Sequence, residues 1–407
     1  MPKAQAPRLV VELPLVANSY EMAVLESRFN AAQNLYNAVL DECLKRMHLV
    51  QNSEAYQSTK KIPKDKKKER SEAFNKAKQA YRYSDYDIQA FATIVANSSK
   101  WIKQHLDSNT IVPKRDATQQ KIATRAFKAT ERIMFGKAKK VRFKQKGQFS
   151  SVEGKTNKQG IRWTGSSVVW NSDLHKLNFK VLIDSRDEVI QYGLQCPVKY
   201  VRIVKRWLNG KIRYFVQLVC AGLPYQKEKN KLGKGVVGID VNVSLIGAVG
   251  DESVQIEGFC TDIETKQQEI RCIQRKMERA RRANNPDNYE PNLKDKKGRK
   301  KKGKIKKGRK QWNNSKTYKK DAKKLREIQR KQAAQRSTSQ RHLINKVLPM
   351  GDTFKLEKVS IKGWQKLWGR SIGYKAPGFF QSELIRKAVS EAARQRECWR
   401  VYSTVLD

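Results

Sequence analysis

Two carboxylates in apolar strand settings are the residues of this chain best suited to chemistry. Asp240 stands late in V-V-G-I-D-V-N (residues 236–242), flanked by Val237, Ile239 and Val241, and the chain returns at once through Ser244 to Gly250. Glu357 stands in F-K-L-E-K-V-S-I (residues 354–361), again in an apolar run that leads into a basic loop. A carboxylate among aliphatic neighbours costs free energy unless a cation or hydrogen-bond donors compensate. Mg2+ prefers hard oxygen ligands and keeps waters for chemistry, so acids held rigidly on neighbouring strands are what metal-dependent polynucleotide cleavage requires. A parallel strand beside the first would place Glu357 close to Asp240. Each acid also has a plainer reading. Asp240 fits an ordinary turn aspartate, and Glu357 fits a strand-edge glutamate paired with Lys355 or Lys358.

The elements that must position these acids follow from pattern. Arg8 to Leu15 reads as a short opening strand closed at Pro14. From Ser19 to Val50, Ala23, Leu25, Phe29, Ala32, Leu35, Tyr36, Val39, Leu40 and Leu44 recur at helical spacing, with Ser19 and Glu21 marking the start. A lysine-rich connector, Lys60 to Arg70, precedes helices over Glu72–Tyr83, Ile88–Leu106 and Gln119–Phe135. The helical block ends in a basic strand, Lys137 to Lys146, that carries Arg142, Phe143 and Lys144.

Residues 161–221 then alternate apolar and polar residues between turn signals, which predicts a small β-barrel or sandwich. Asn209-Gly210 marks a hairpin within it. On the strand Tyr200–Leu208, Arg202 and Arg206 share one face and Lys205 and Trp207 the other; Arg213 follows on the next strand. These cations line a nucleic-acid groove or form a solvated face. Gly233 to Gly250 reads as a buried strand, a tight turn and a returning strand. Ile263 to Ala283 is a basic helix bearing Arg271 and Arg275. Residues 284–314, with Lys301, Lys302 and Arg309, are too poor in apolar side chains for a core, and are expected to be mobile until they meet phosphate or to act as a solvated linker. A long helix from Lys316 to about Asn345 follows, then a strand from Thr353 to Ser360 and a Gly/Trp-rich loop with Lys362 and Trp364. Pro377 opens a helix to about Gln395, and Trp399 to Val405 reads as a final strand. The pattern is α+β and multidomain, as 407 residues suggest.

Charge narrows the partners. Lys and Arg number 86 against 39 Asp and Glu, a formal net charge of +47. Self-repulsion of that size opposes a compact state unless a polyanion neutralises it. No apolar run reaches spanning length and no signal-peptide pattern opens the chain, so nucleic acid rather than membrane is the expected partner. The six cysteines form no C-x-x-C, which predicts no zinc site in this chain; scattered thiols fit a reducing cytoplasm.

Several blocks together resemble the RuvC domain of the TnpB family, transposon-encoded RNA-guided DNA endonucleases related to the type V CRISPR effectors. They are G-V-V-G-I-D-V-N, R-R-A-N-N-P-D-N-Y, K-K-G-R-K-Q-W-N-N-S-K-T-Y, L-R-E-I-Q-R-K-Q-A-A-Q-R and L-E-K-V-S-I-K-G-W-Q-K-L-W-G-R-S-I-G-Y-K-A-P-G-F-F. The resemblance is strongest over residues 235–388 and looser over 198–219 and 141–144. It implies a helical recognition block and a small β-barrel (wedge) domain, followed by an RNase H-like (RuvC) α/β domain with a basic helical insertion. The implied bounds are 1–18 and 137–232 for the wedge, 19–136 for the recognition block, and 233–407 for RuvC with its insertion at about 262–346. It further implies Asp240 and Glu357 as the first two RuvC carboxylates on Mg2+, with guide RNA and target double-stranded DNA as partners in a prokaryotic, nucleoid-associated setting. Arg142, Phe143, Lys144, Arg202, Lys205, Arg206, Arg213, Arg271, Arg275, Lys301, Lys302, Arg309, Lys362 and Trp364 are then the expected nucleic-acid contacts, and a homodimer or further protein partner stays open. The departure is at the end. The family continues into a C-x-x-C zinc insert and a third carboxylate, whereas this sequence stops at Asp407, where that insert would begin. Cleavage is therefore in doubt. A guided binder acting as repressor or recruiting module is the alternative, and a DNA-strand-transferring transposase is disfavoured because it also needs a full acidic triad.

Overall fold

The computed structural model describes residues 7–63, 65–106, 117–294, 298, 300–308, 310–357 and 359–395. The chain forms two compact units, 1–225 and 226–407.

In the first unit, β1 (Arg8–Val16) leads into α1 (Ser19–Asn52), α2 (Glu54–Lys61), α3 (Lys67–Ala80), α4 (Asp85–Ser98), α5 (Lys100–Leu106) and α6 (Ala117–Met134). Strands β2 (Ser151–Glu153), β3 (Ile161–Trp163), β4 (Ser167–Asn171) and β5 (Lys176–Val181) follow, then α7 (Glu188–Gln195), β6 (Val198–Leu208) and β7 (Lys211–Ala221). Among the described residues these strands make one sheet in the order β2-β6-β7-β1-β5-β4-β3, and β3 comes back alongside β6. β1 does not close at Pro14. It pairs β7 from Arg8 to Pro14 and then passes to β5 at Leu15 and Val16. Proline has no N–H for the first ladder, so the change of partner falls where no donor is lost. Asn209 and Gly210 both take positive φ, 48° and 80°, and close the β6–β7 hairpin as the dipeptide predicts.

α1 starts at Ser19, where the sequence pattern marks it, and Asn18 caps it. The Asn18 side chain accepts from the Glu21 backbone N–H at 2.8 Å while the Glu21 carboxylate accepts from the Asn18 N–H at 2.8 Å, a complete capping box. Leu25, Phe29, Ala32, Leu35, Tyr36, Val39 and Leu40 are buried as their spacing predicts, but Ala23 is exposed and Val24 takes the core position. One hydrophobic core runs from these residues through Ile88, Ala92, Ile122 and Phe127 to Trp170, Phe179, Val201 and Val216. Arg28 lies fully buried in it. Its guanidinium donates to the Trp170 carbonyl at 2.5 Å, to Ser172 Oγ at 2.9 Å and to the His175 carbonyl at 2.8 Å, and stacks 4.7 Å from the Trp170 ring centroid. Residues 137–146 form no strand. Asn37 on α1 takes both backbone groups of Lys144, at 2.8 and 2.9 Å, and Gln33 donates to the same carbonyl, so neither group is left for a strand neighbour.

The second unit is built on β8 (Val236–Val241), β9 (Leu245–Val249), β10 (Val254–Gly258) and, after an insertion, β13 (Thr353–Leu356). The insertion holds α8 (Gln267–Ala283), a two-residue ribbon of β11 (Leu293–Lys294) and β12 (Lys300–Lys301), and α9 (Lys316–Val347). Helices α10 (Ile361–Lys375) and α11 (Pro377–Gln395) follow β13. The expected Gly/Trp-rich loop is therefore helical: Ser360 Oγ accepts from the Gly363 N–H at 3.2 Å, and a kink falls at Trp368. The expected last strand at 399–405 lies outside the described residues. The core joins Val237, Ile239, Val241 and Phe354 of the sheet to Leu343, Ile344 and Val347 of α9 and to Phe380 and Leu384 of α11.

Two predictions follow. Replacing Arg28 with Met removes its bonds to the Trp170 and His175 carbonyls and to Ser172 Oγ together with its stacking on Trp170, while Ser172 and His175 keep their bonds to each other; the loss expected in urea unfolding is about 3 kcal/mol, and Arg28→Lys restores only part. On α11, Lys387 is half-buried and donates to Asn345. Burial pulls its ammonium down to about 8 from an ordinary 10.5, against the attraction of Glu383. Below pH 8 both folded and unfolded chains carry this proton, and the folded state bears the whole burial cost. Between about 8 and 10.5 the unfolded state holds more protons, so stability rises with pH. Lys387→Met should therefore raise the melting temperature at pH 7, with the advantage shrinking as a pH series approaches 10.5.

Candidate functional site

β8 alternates strictly: Val237, Ile239 and Val241 are buried, whereas Val236, Gly238 and Asp240 face the other side and are exposed. β13 does the same, with Phe354 and Leu356 buried and Lys355 exposed. The two strands are parallel and in register from Thr353 opposite Val236 to Leu356 opposite Ile239. β13 ends at Leu356; continued by one residue, this register would set Glu357 level with Asp240, and Glu357 is exposed, in phase with Lys355. Neighbouring strands lie about 4.8 Å apart, so the topology brings both carboxylates to one place on one sheet face.

The register is fixed by a close approach at the start of β13. A Cβ on Gly351 would lie 2.6 Å from the Gly235 carbonyl oxygen and 2.7 Å from Val237 Cγ2. The same carbonyl accepts from the Asp352 and Thr353 N–H groups, at 3.0 and 3.1 Å. On the far side of Asp240, the antiparallel partner is Gly247, and the same-face neighbour along β8 is Gly238. Nothing stands within 4 Å of a Cβ on Gly247. Asp240 thus has bare backbone on two sides and Glu357 on the third. Among the described residues neither carboxylate has an ion-pair partner, so the pairing of Glu357 with Lys355 is not realised, and Lys358, the other expected partner, lies outside the described residues. Two unpaired hard-oxygen groups at one level fit a Mg2+ ion, which is commonly held by one or two carboxylates plus substrate phosphates. Among the described residues no group of three or more His, Cys, Asp or Glu side chains gathers to hold a metal.

The expected nucleic-acid contacts divide into distinct settings. Arg142 and Phe143 are exposed on the irregular segment clamped by Asn37, with Lys144 half-buried beside them. Arg202 and Arg206 are committed to acids: Arg202 makes two bonds to Glu153, at 2.7 and 2.9 Å, and Arg206 grips both oxygens of Glu12. Lys205 is turned inward instead of joining them, with a side chain only 8% exposed that bonds Glu26 at 2.8 Å and lies over Phe29. Its charge is spent within the fold. Arg213 is exposed opposite Arg206 in the hairpin. Lys362 is exposed and Trp364 half-buried on α10, shortly after Glu357. Arg271, Arg275 and Lys302 line one cavity together. Arg309 and the side chain of Lys301 lie outside the described residues.

Other basic residues join these. Lys121, Arg125 and Lys128 of α6 line a second cavity of about 390 Å³ with Phe149 and Arg202, and Arg279 lines the first. Their signal is in the sequence: i, i+4, i+7 on α6 and i, i+4, i+8 on α8 each put cations on one helix face.

No protein-family model matches the chain, and no curated protein matches it. Among solved structures it is similar to a cryo-EM structure of a Cas12f1–sgRNA–target DNA complex, at 10% identity over 95% of this chain and 88% of that one, with a TM-score of 0.40. It is also similar to a cryo-EM structure of a CRISPR-Cas12f ternary complex, at 11% identity over 94% and 87%, with a TM-score of 0.27. Likeness this distant carries no functional argument. Among the described residues no helix is long and apolar enough to cross a membrane.

The register argument has a direct test. Gly351→Ala should destabilise residues 226–407 by about 2 kcal/mol and weaken Mn2+ binding measured by water-proton relaxation. Gly247→Ala meets no neighbour and should leave stability within about 0.5 kcal/mol.

Proposed function

We propose that this chain is an RNA-guided DNA-binding protein of TnpB type with a RuvC-like, Mg2+-dependent endonuclease site at Asp240 and Glu357. One observation supports the reading: a parallel register of Thr353–Leu356 on Val236–Ile239 whose continuation would set Glu357 level with Asp240 on an open sheet face, in the order and strand context of the sequence resemblance. Guide RNA and target double-stranded DNA are the proposed partners, in a prokaryotic cytoplasm. The net charge of +47 calls for such polyanions.

In this reading Asp240 and Glu357 hold the metal from adjacent strands, and their rigid β8–β13 pairing keeps the separation of the carboxylates constant. When bound, Mg2+ would supply a Lewis acid for a phosphoryl oxygen and an activated water. Gly238 and Gly247 leave room for a strand to approach Asp240. Lys355 and Lys362, exposed before and after Glu357, attract the phosphates flanking the scissile bond. Base pairing with the guide supplies sequence, and the protein supplies backbone contacts.

A second reading, guided binding without cutting, is favoured by the lack of any three-member acid group among the described residues. The protein, purified with its RNA and incubated with Mg2+ and a labelled target duplex, separates the two. The first reading expects cleavage that falls about a hundredfold or more in Asp240→Ala and in Glu357→Ala, with gel-shift binding kept. Binding without cleavage by the wild type selects the second. Cleavage indifferent to Asp240→Ala would remove the site assignment, and a chain that carries no RNA and binds no target would remove the guided reading.

A further inference from the structure

Residues 284–314, expected to lack a core of their own, are folded in their described part, and aromatic and amide side chains hold them. The Arg281 guanidinium lies 3.7 Å from the Trp312 ring centroid and that of Arg282 4.2 Å from Tyr289, while the two rings meet edge to face at 6.0 Å. Buried Asn285 donates to the Arg281 and Asn313 carbonyls and accepts from the Asn313 N–H. Arg282 also donates to the Gly303 carbonyl at 3.0 Å, and Tyr289 pairs with Ile305. Gly303 packs so tightly on Glu290 that a Cβ there would lie 1.7 Å from its carbonyl oxygen. The last turn of α8 thus spends two arginines on fastening the ribbon.

The earlier turns of α8 are left free of that task. Arg271, Arg275 and Arg279 recur at i, i+4 and i+8, all exposed, and the fastened ribbon brings Lys302 to them. With Gln274 and Glu278 they line a cavity of about 460 Å³. Glu278 is the one acid there, and it is already held by Arg282 at 2.8 Å. Among the described residues none of the four cations has an ion-pair partner. Like charges at i, i+4 oppose the helix that carries them, so this face is built at a cost to stability that an anionic ligand removes. The arginines repeat every 6 Å or so along the axis, which suits successive phosphates of one strand, and arginine's planar fork suits phosphate oxygens.

We propose that the α8 face and Lys302 form a preformed cradle for the phosphodiester backbone of nucleic acid. It is separate from the carboxylate site and does not depend on that site cutting. The cradle reads no sequence; it grips three or four phosphates and sets register.

The test uses the full chain freed of nucleic acid, titrated into a labelled RNA hairpin and a DNA duplex of matching sequence over a salt series. The variant Arg271→Gln/Arg275→Gln/Arg279→Gln should bind about tenfold more weakly, and its log K against log salt slope should fall by about 3 on duplex DNA. Lys302→Gln should lower the slope by about 1. Trp312→Ala, which frees the ribbon, should match Lys302→Gln and add nothing to it. Loss confined to RNA assigns the cradle to an RNA strand, and loss confined to duplex assigns it to DNA; either supports the proposal. A triple variant with unchanged helical circular dichroism, affinity and slope on both probes overturns it. These are binding readouts, so they are independent of whether Asp240 and Glu357 support cleavage.

Discussion

The candidate site depends on one backbone contact. Gly351 lies so close to the Gly235 carbonyl and Val237 that no side chain fits between them, and that carbonyl then receives two N–H groups from the start of β13. A strand pairing can slip by one residue, and in a sheet such a slip exchanges the two faces. Here a slip would bury Glu357 and Lys355 and expose Phe354 and Leu356. Hydrophobic burial on one face and the tight glycine contact at the end select the same register. The level placement of Glu357 with Asp240 is a by-product of that selection, and the carboxylates themselves contribute nothing to it.

Charge is distributed with equal consequence. Residues 7–225 spend acids locally: Glu12 on Arg206, Glu26 on Lys205 and Glu153 on Arg202. These pairs remove the sheet's cations from competition for phosphate. In the cavity along α8 the balance is reversed, because Glu278 is the one acid among four cations and is itself engaged. Arginines on successive turns of α8 therefore do different work. Arg281 and Arg282 stack on aromatic rings and hold the ribbon, and Arg275 and Arg279 face outward.

Much of the architecture was legible in the residues. The 3.6-residue spacing of Leu25 through Val50 predicts α1, Asn209-Gly210 predicts the hairpin, and Pro377 predicts the start of α11. These are local signals, set by backbone sterics and by the need to bury one face. The misses are long-range. Asn37 claims the backbone of Lys144 from 107 residues away, so a strand-like run stays irregular. Residues 284–314 hold only Leu293 and Ile305 as branched aliphatic side chains, yet Trp312, Tyr289 and Asn285 supply a core of rings and amides that a hydrophobicity count does not register.

The sequence by itself determined that two carboxylates stand in apolar runs, that cations on α6 and α8 share helix faces, and that the chain carries a net charge of +47. Those properties belong to residue type and to periodicity along one element. Only the tertiary structure decided that the two acids stand level, that Lys205 turns inward, and that a lysine-rich ribbon is fastened across α8. Each of these depends on which distant backbone groups meet, and that is settled by packing and hydrogen bonding between elements far apart in the chain.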